Sequence, residues 1–156
     1  MKILFLGDIV GPSGCMVVKK HLKKIVEENK INFVIANGEN AAHNGVGITK
    51  DVLDNLIKFG VNVLTTGNHV WDHKETLKLV EDDNRLLRPF NLIGVSPGKG
   101  FEIYQTSKNL KIGVLNLMGN VFMRKSEDVF KTAENFQKKY QLKKDYDFLV
   151  VDLHCE

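Results

Sequence analysis

Cysteine is scarce in this chain: of 156 residues, only Cys15 and Cys155 carry a thiol. They stand far apart and in no Cys-x-x-Cys spacing, which excludes a disulfide framework and a thiolate metal knot. Cys15 reads as a small helix residue, and Cys155 is given no role. Long hydrophobic runs are missing too. No apolar stretch approaches the ~20 residues a membrane helix needs, and the opening "MKILFLGD" meets an acid at Asp8 after a few apolar positions. It reads as a first strand and not as a signal peptide, so the expected location is the cytoplasm, with no membrane partner. Neither sign of charge dominates, the formal net charge being +3. The lysines of "KKHLKK" (19–24) read as the solvated face of a helix, with RNA binding only weakly supported.

Some familiar loop chemistries are also lacking. "GDIVGPSG" has no Lys-Ser/Thr to grip terminal phosphates and no Gly-x-Gly-x-x-Gly spacing for a dinucleotide. A Ser-His-Asp hydrolase is set aside for want of a Gly-x-Ser-x-Gly nucleophile elbow.

What remains is an ordinary globular composition, 43% apolar and 26% charged, and a length that suits a single domain over 1–156. "KILFL" (2–6), "FVIA" (33–36) and "VNVLTT" (61–66) read as buried strands. Between them a helix from about Cys15 to Glu28 shows the stripe Cys15, Val18, Leu22 and Ile25. A second helix, capped by Thr49, shows Val52, Leu53, Leu56 and Ile57. Three strand–loop–helix units in a row predict parallel strands and an α/β fold. Further on, "FEIYQ" (101–105) and "KIGVLNL" (111–117) predict an antiparallel hairpin turning at Lys108-Asn109. Ser126 is the expected cap of a helix with the stripe Val129, Ala133, Phe136 and Tyr140. "DFLVV" (147–151) is the last strand.

Polar groups gather where these strands end: Asp8 after the first, "NGEN" (37–40) after the second, "GNH" (67–69) after the third, and Asp152-Leu153-His154 after the last. In an open α/β sheet the carboxyl ends share one edge, and ligands bind there. Singly, each residue is explained as a turn former or a surface acid. Together they bring carboxylate, amide and imidazole to a common place. His43 reads as a loop histidine near the mouth, and His21 and His73 as surface residues.

The order of "LGDIVG", "NGENAA", "GITKD", "TTGNHVWD", "LLRPFN", "SPGKG" and "NLMGNVFM" resembles the YmdB-like branch of the calcineurin-like metallophosphoesterases over essentially all of the sequence. The resemblance implies an αββα sandwich with a mostly parallel first sheet. It also implies phosphodiester hydrolysis, most specifically of 2′,3′-cyclic nucleotides, by a hydroxide bridging two divalent transition metal ions, iron or manganese before zinc. In that scheme Asp8 binds one metal, Glu39 bridges both, and Asn68 and His154 bind the second. Asn40 lies beside the metals, and His69 assists at the phosphate as the catalytic residue. The branch departs from its superfamily in using Glu39 where an Asp commonly bridges, and in having no Asp-x-His after Gly7.

The family also carries a later Gly-x-His-x-His loop, which this sequence does not contain. The expectation is therefore a domain that is incomplete at its C-terminal end relative to its relatives, made whole by a missing half or a homo-oligomer. The alternative is an inactive remnant that binds a phosphate ligand or a partner chain.

Overall fold

The computed structural model describes residues 1–155. Strand β1 (Ile3–Leu6), helix α1 (Gly11–Asn29), strand β2 (Phe33–Asn37), helix α2 (Lys50–Phe59), strand β3 (Val63–Thr65), helix α3 (Thr76–Asp82) and strand β4 (Leu86–Leu87) make the first half. Their strands form one all-parallel sheet in the order β1-β2-β3-β4. Strands β5 (Phe101–Gln105) and β6 (Lys111–Met118), helix α4 (Val129–Lys139) and strand β7 (Phe148–His154) follow. Here β5 pairs antiparallel and β7 parallel to β6, giving a second sheet β5-β6-β7.

The period-2 alternation of the strands sorts their side chains into three apolar layers. Leu4, Leu6, Val34, Ala36 and Leu64 meet Val18, Leu22, Leu53 and Leu56 of α1 and α2. Phe33, Ile35, Val63 and Leu87 of the first sheet meet Ile112 and Val114 of the second. Leu115 and Leu117 face Val129 and Phe136 of α4. Helices, sheet, sheet and helix therefore stack as an αββα sandwich with a parallel first sheet, as expected.

The structure shifts several boundaries. Helix α1 starts at Gly11, not Cys15, because Pro12 sits in the first turn, where its missing N–H costs nothing. Its partly buried apolar residue near the C-terminus is Val26, while Ile25 is exposed. Thr49 occupies the N-cap of α2 without a side-chain capping bond. Asp128, not Ser126, caps α4: its Oδ1 accepts from the Lys131 N–H at 2.8 Å, while Ser126 Oγ is taken up by the Asn120 amide at 2.9 Å. The hairpin turn is as expected, with Asn109 at φ 60°. Helix α3 and strand β4 escaped the sequence pattern because seven and two residues hold too few periods to register. Lys19, Lys20, Lys23 and Lys24 are all exposed on α1, as a solvated face requires. Among the described residues no helix is long and apolar enough to cross a membrane.

The candidate metal centre

The inner faces of four strands change character toward their carboxyl ends. Along β2 the run Phe33, Ile35 ends at Asn37, and along β3 Val63 is followed by Thr65. Along β6 Ile112 and Val114 lead to Asn116, and along β7 Val150 leads to Asp152 and His154. Register aligns these positions, Asn37 beside Thr65 and Asn116 beside Asp152. A buried polar floor thus lies between the sheets at the edge where the loops emerge. Asp152 Oδ2 organises it, accepting from Asn37 Nδ2 at 2.9 Å and from Thr65 Oγ1 at 2.5 Å. Asn116 Oδ1 accepts the Thr66 N–H at 3.0 Å and stitches one sheet to the other.

Glu39 stands on this floor, 2% exposed. Its placement is local: the Asn37 side chain folds back so that Oδ1 accepts the Glu39 N–H at 3.0 Å, an Asx turn that short polar side chains favour. Glu39 Oε1 lies 3.0 Å from His154 Nε2 and accepts from Asn40 Nδ2 at 3.1 Å. The other oxygen, Oε2, is buried without a hydrogen-bond partner among the described residues. Gly67 is required beside it, because a Cβ there would drive into Glu39 Oε2 and the His154 ring. Asn68 follows, its Oδ1 at 3.1 Å from the same His154 Nε2. Asp8 reaches in from the end of β1, linked at 3.3 Å to the Asn40 amide.

Asp8, Glu39 and His154 each offer a ligand atom, and these atoms lie within 4.8 Å of one another. The electrostatics fit that crowding. Burial, followed by the nearby Glu39 and Asp152, pushes the Asp8 carboxyl above its ordinary range against the opposing pull of His154. The hydrogen bond to Glu39 holds the His154 imidazole above its usual pKa, against the effect of burial. A buried carboxylate with one bare oxygen, between a second carboxylate and an imidazole, is a donor set that favours a cation. The residues therefore fit a divalent metal.

His69 lies on the same loop as Asn68 but faces a different partner: its Nδ1 is 2.6 Å from Asp72 Oδ2. His43 is exposed and lines a groove between α1 and α2 with Cys15 and Lys19. His73 is a correction to the sequence reading. It is partly buried, with Nε2 2.9 Å from the Val46 carbonyl, and it fastens the loop that leads into α2. The letters Gly94-Val95-Ser96-Pro97-Gly98 do spell Gly-x-Ser-x-Gly. They lie in an irregular segment with no strand-to-helix turn, and Pro97 has no N–H to serve as an oxyanion donor.

Thr65 and Asn116 were not singled out by the sequence, and Asn37 and Asp152 were placed at the shared edge without an individual role. The signal that could have found them is a polar residue on an otherwise apolar strand face, read two positions at a time.

A family model described as YmdB-like protein matches residues 4–156. A 2′,3′-cyclic-nucleotide 2′-phosphodiesterase of Bacillus subtilis (strain 168) is 38% identical over 156 residues, taking in all of this chain and 58% of that protein. Two solved structures superpose at a TM-score of 0.89 and 33% identity over the whole chain: a hypothetical protein from Thermus thermophilus and a novel phosphatase from Mycoplasma pneumoniae. The chain spans 58% and 56% of their respective lengths.

Proposed function

The chain belongs to the YmdB-like protein family, and from that premise we propose that it is a metal-dependent phosphodiesterase whose substrate class is the 2′,3′-cyclic nucleotides. The substrate class follows the name of the Bacillus subtilis relative. The observation that carries the reading is Glu39, buried with Oε2 unpartnered and Asp8 and His154 within reach.

Asp8, Glu39, Asn68 and His154 would hold two divalent ions, with Glu39 shared between them. Mixed carboxylate, amide and imidazole donors suit iron, manganese or zinc. When bound, such ions supply positive charge against the phosphoryl oxygens and a water acidic enough to attack near neutral pH. The protein's own residues do the rest. The Asn40 amide donates to both Asp8 and Glu39 and keeps the two carboxylates turned toward one another. Asp152, Asn37 and Thr65 fix the floor from which His154 projects. His69 delivers a proton from Nε2 to the leaving oxygen, the nitrogen that Asp72 leaves free.

A second reading, a protein that binds a phosphate ligand or a partner without turnover, has one observation in its favour. Phe5 and Leu153, on the outermost strands of the two sheets, are 40% and 50% exposed. Elemental analysis of protein from iron- and manganese-supplemented cells, with a 2′,3′-cyclic AMP hydrolysis assay, separates the readings. The expected result is about two ions per protein molecule and measurable turnover, both abolished in Glu39→Gln. His69→Ala should keep its metal and lose turnover. Metal without turnover in the unaltered protein selects the second reading, and no metal at all overturns both metal assignments.

A further inference from the structure

His69 is held by residues to which the sequence assigned nothing. Its Nδ1 lies 2.6 Å from Asp72 Oδ2, and the other oxygen of that carboxylate accepts from Arg124 Nη2 at 2.5 Å. The first contact is local. The Asp72 N–H donates to the His69 carbonyl at 3.1 Å, closing a turn that brings the carboxylate back over its own first residue. The second contact crosses the molecule, from the loop after β3 to the segment between β6 and α4. That segment is fixed independently of Arg124. Asn120 Nδ2 donates to Ser126 Oγ at 2.9 Å and to the Glu127 carbonyl at 3.0 Å, and its Oδ1 accepts the Val129 N–H at 3.0 Å. Asn91 Nδ2 donates to the carbonyls of Met118 and Glu127 at 2.7 and 3.0 Å.

We propose that Asp72 and Arg124 are positioning residues for His69, setting the tautomer and direction of its ring; the proposal rests on the proton-delivering role given to His69 above. An ionised carboxylate only accepts hydrogen bonds, so the His69 nitrogen facing Asp72 carries the hydrogen. That leaves Nε2 as the working nitrogen, and among the described residues it has no hydrogen-bond partner. Arg124 fixes which oxygen Asp72 offers, because its Nη2 engages Oδ1 and leaves Oδ2 to His69. Asp72 and Arg124 are 26% and 50% exposed on their side chains. As a surface ion pair they would add little stability; as a brace they decide where a proton can go. The brace joins the loop after β3 of one sheet to the segment after β6 of the other.

The test uses side-chain nitrogen NMR together with hydrolysis, on the unaltered protein and the variants Asp72→Ala, Arg124→Ala and Arg124→Lys. His69 is assigned by the signal lost in His69→Gln. The unaltered protein, in its resting neutral form, should show His69 as the Nδ1–H tautomer, whose bare Nε2 takes a proton from solvent, passes it to the leaving oxygen and returns to the same tautomer. Asp72→Ala should turn it into a tautomer mixture. For a 2′,3′-cyclic nucleotide, kcat should fall about a hundredfold in Asp72→Ala and about tenfold in Arg124→Ala, with KM little changed. Bis(p-nitrophenyl) phosphate, whose leaving group needs no proton, should be nearly unaffected. Arg124→Lys should recover only part of the loss. An unchanged tautomer in Asp72→Ala, or equal losses on both substrates, overturns the proposal. If the unaltered protein hydrolyses neither substrate, the phosphodiesterase reading fails while the nitrogen signals still decide how His69 is held.

Discussion

The two sheets present the same polar edge from very different surroundings. Strand β2 of the first sheet is buried along its whole length, with helices on one face and the second sheet on the other. Strand β7 of the second sheet turns polar Asp152 and His154 toward that neighbour, while Val151 and Leu153 on its other face are 46% and 50% exposed. One half of the candidate site therefore sits on a packed scaffold, and the other hangs from an edge strand. On that outer face Leu149 still packs against the cluster under α4, and exposure begins at Val151. Site geometry here depends on contacts between the sheets more than on the sturdiness of either.

The strongest way to break that comparison is at Gly67, where the sheets' contributions touch. Gly67→Ala places a methyl against Glu39 and the His154 ring. It should abolish metal uptake and cost about 1–3 kcal/mol or more through overpacking, read by elemental analysis and denaturant midpoint. Wild-type metal content in that variant would mean that the two halves are free to move apart.

A paired truncation compares the two scaffolds away from the metal ligands. Leu64→Ala empties a fully buried position in the first sheet and should cost about 2–5 kcal/mol. Leu153→Ala removes a half-exposed side chain from the second and should cost less than about 0.5 kcal/mol. Equal losses in urea unfolding would show that the face of β7 is covered in solution.

A smaller effect than that of Leu64 belongs to Asn116, the stitch between the sheets. Asn116→Ala strands the Thr66 N–H but also removes the amide nitrogen Nδ2, which is itself buried without a partner. The net cost should fall near ~1 kcal/mol, the low end for an unpaired buried group. A larger loss would make this single bond the main tie at the polar edge.

Much of the fold could be read from the sequence because its signals are local. The buried stripes of α1 and α2, the strand runs and the hairpin turn at Asn109 each lie within a few residues of one another. The same holds for the placement of Asp8, Glu39 and Asn68, which follow strands, and of His154, which ends one, all on a shared edge. Asp128 was missed as a cap because Ser126, two residues earlier, has the same capping chemistry. Only the path of the backbone decides which of them faces the free N–H groups.

Local pattern was enough to establish that polar residues would end each parallel strand, since periodicity sets strands and strand direction sets where their ends gather. The order of motifs was likewise enough to establish the family. Packing in three dimensions was needed to leave one oxygen of Glu39 unpartnered, to tie two sheets together through Asp152, and to share Asp72 between His69 and Arg124. Some of these contacts join residues as many as 115 positions apart. No local pattern encodes them, because a side chain's hydrogen-bond partner is set by which backbones the packed core brings within about 3 Å.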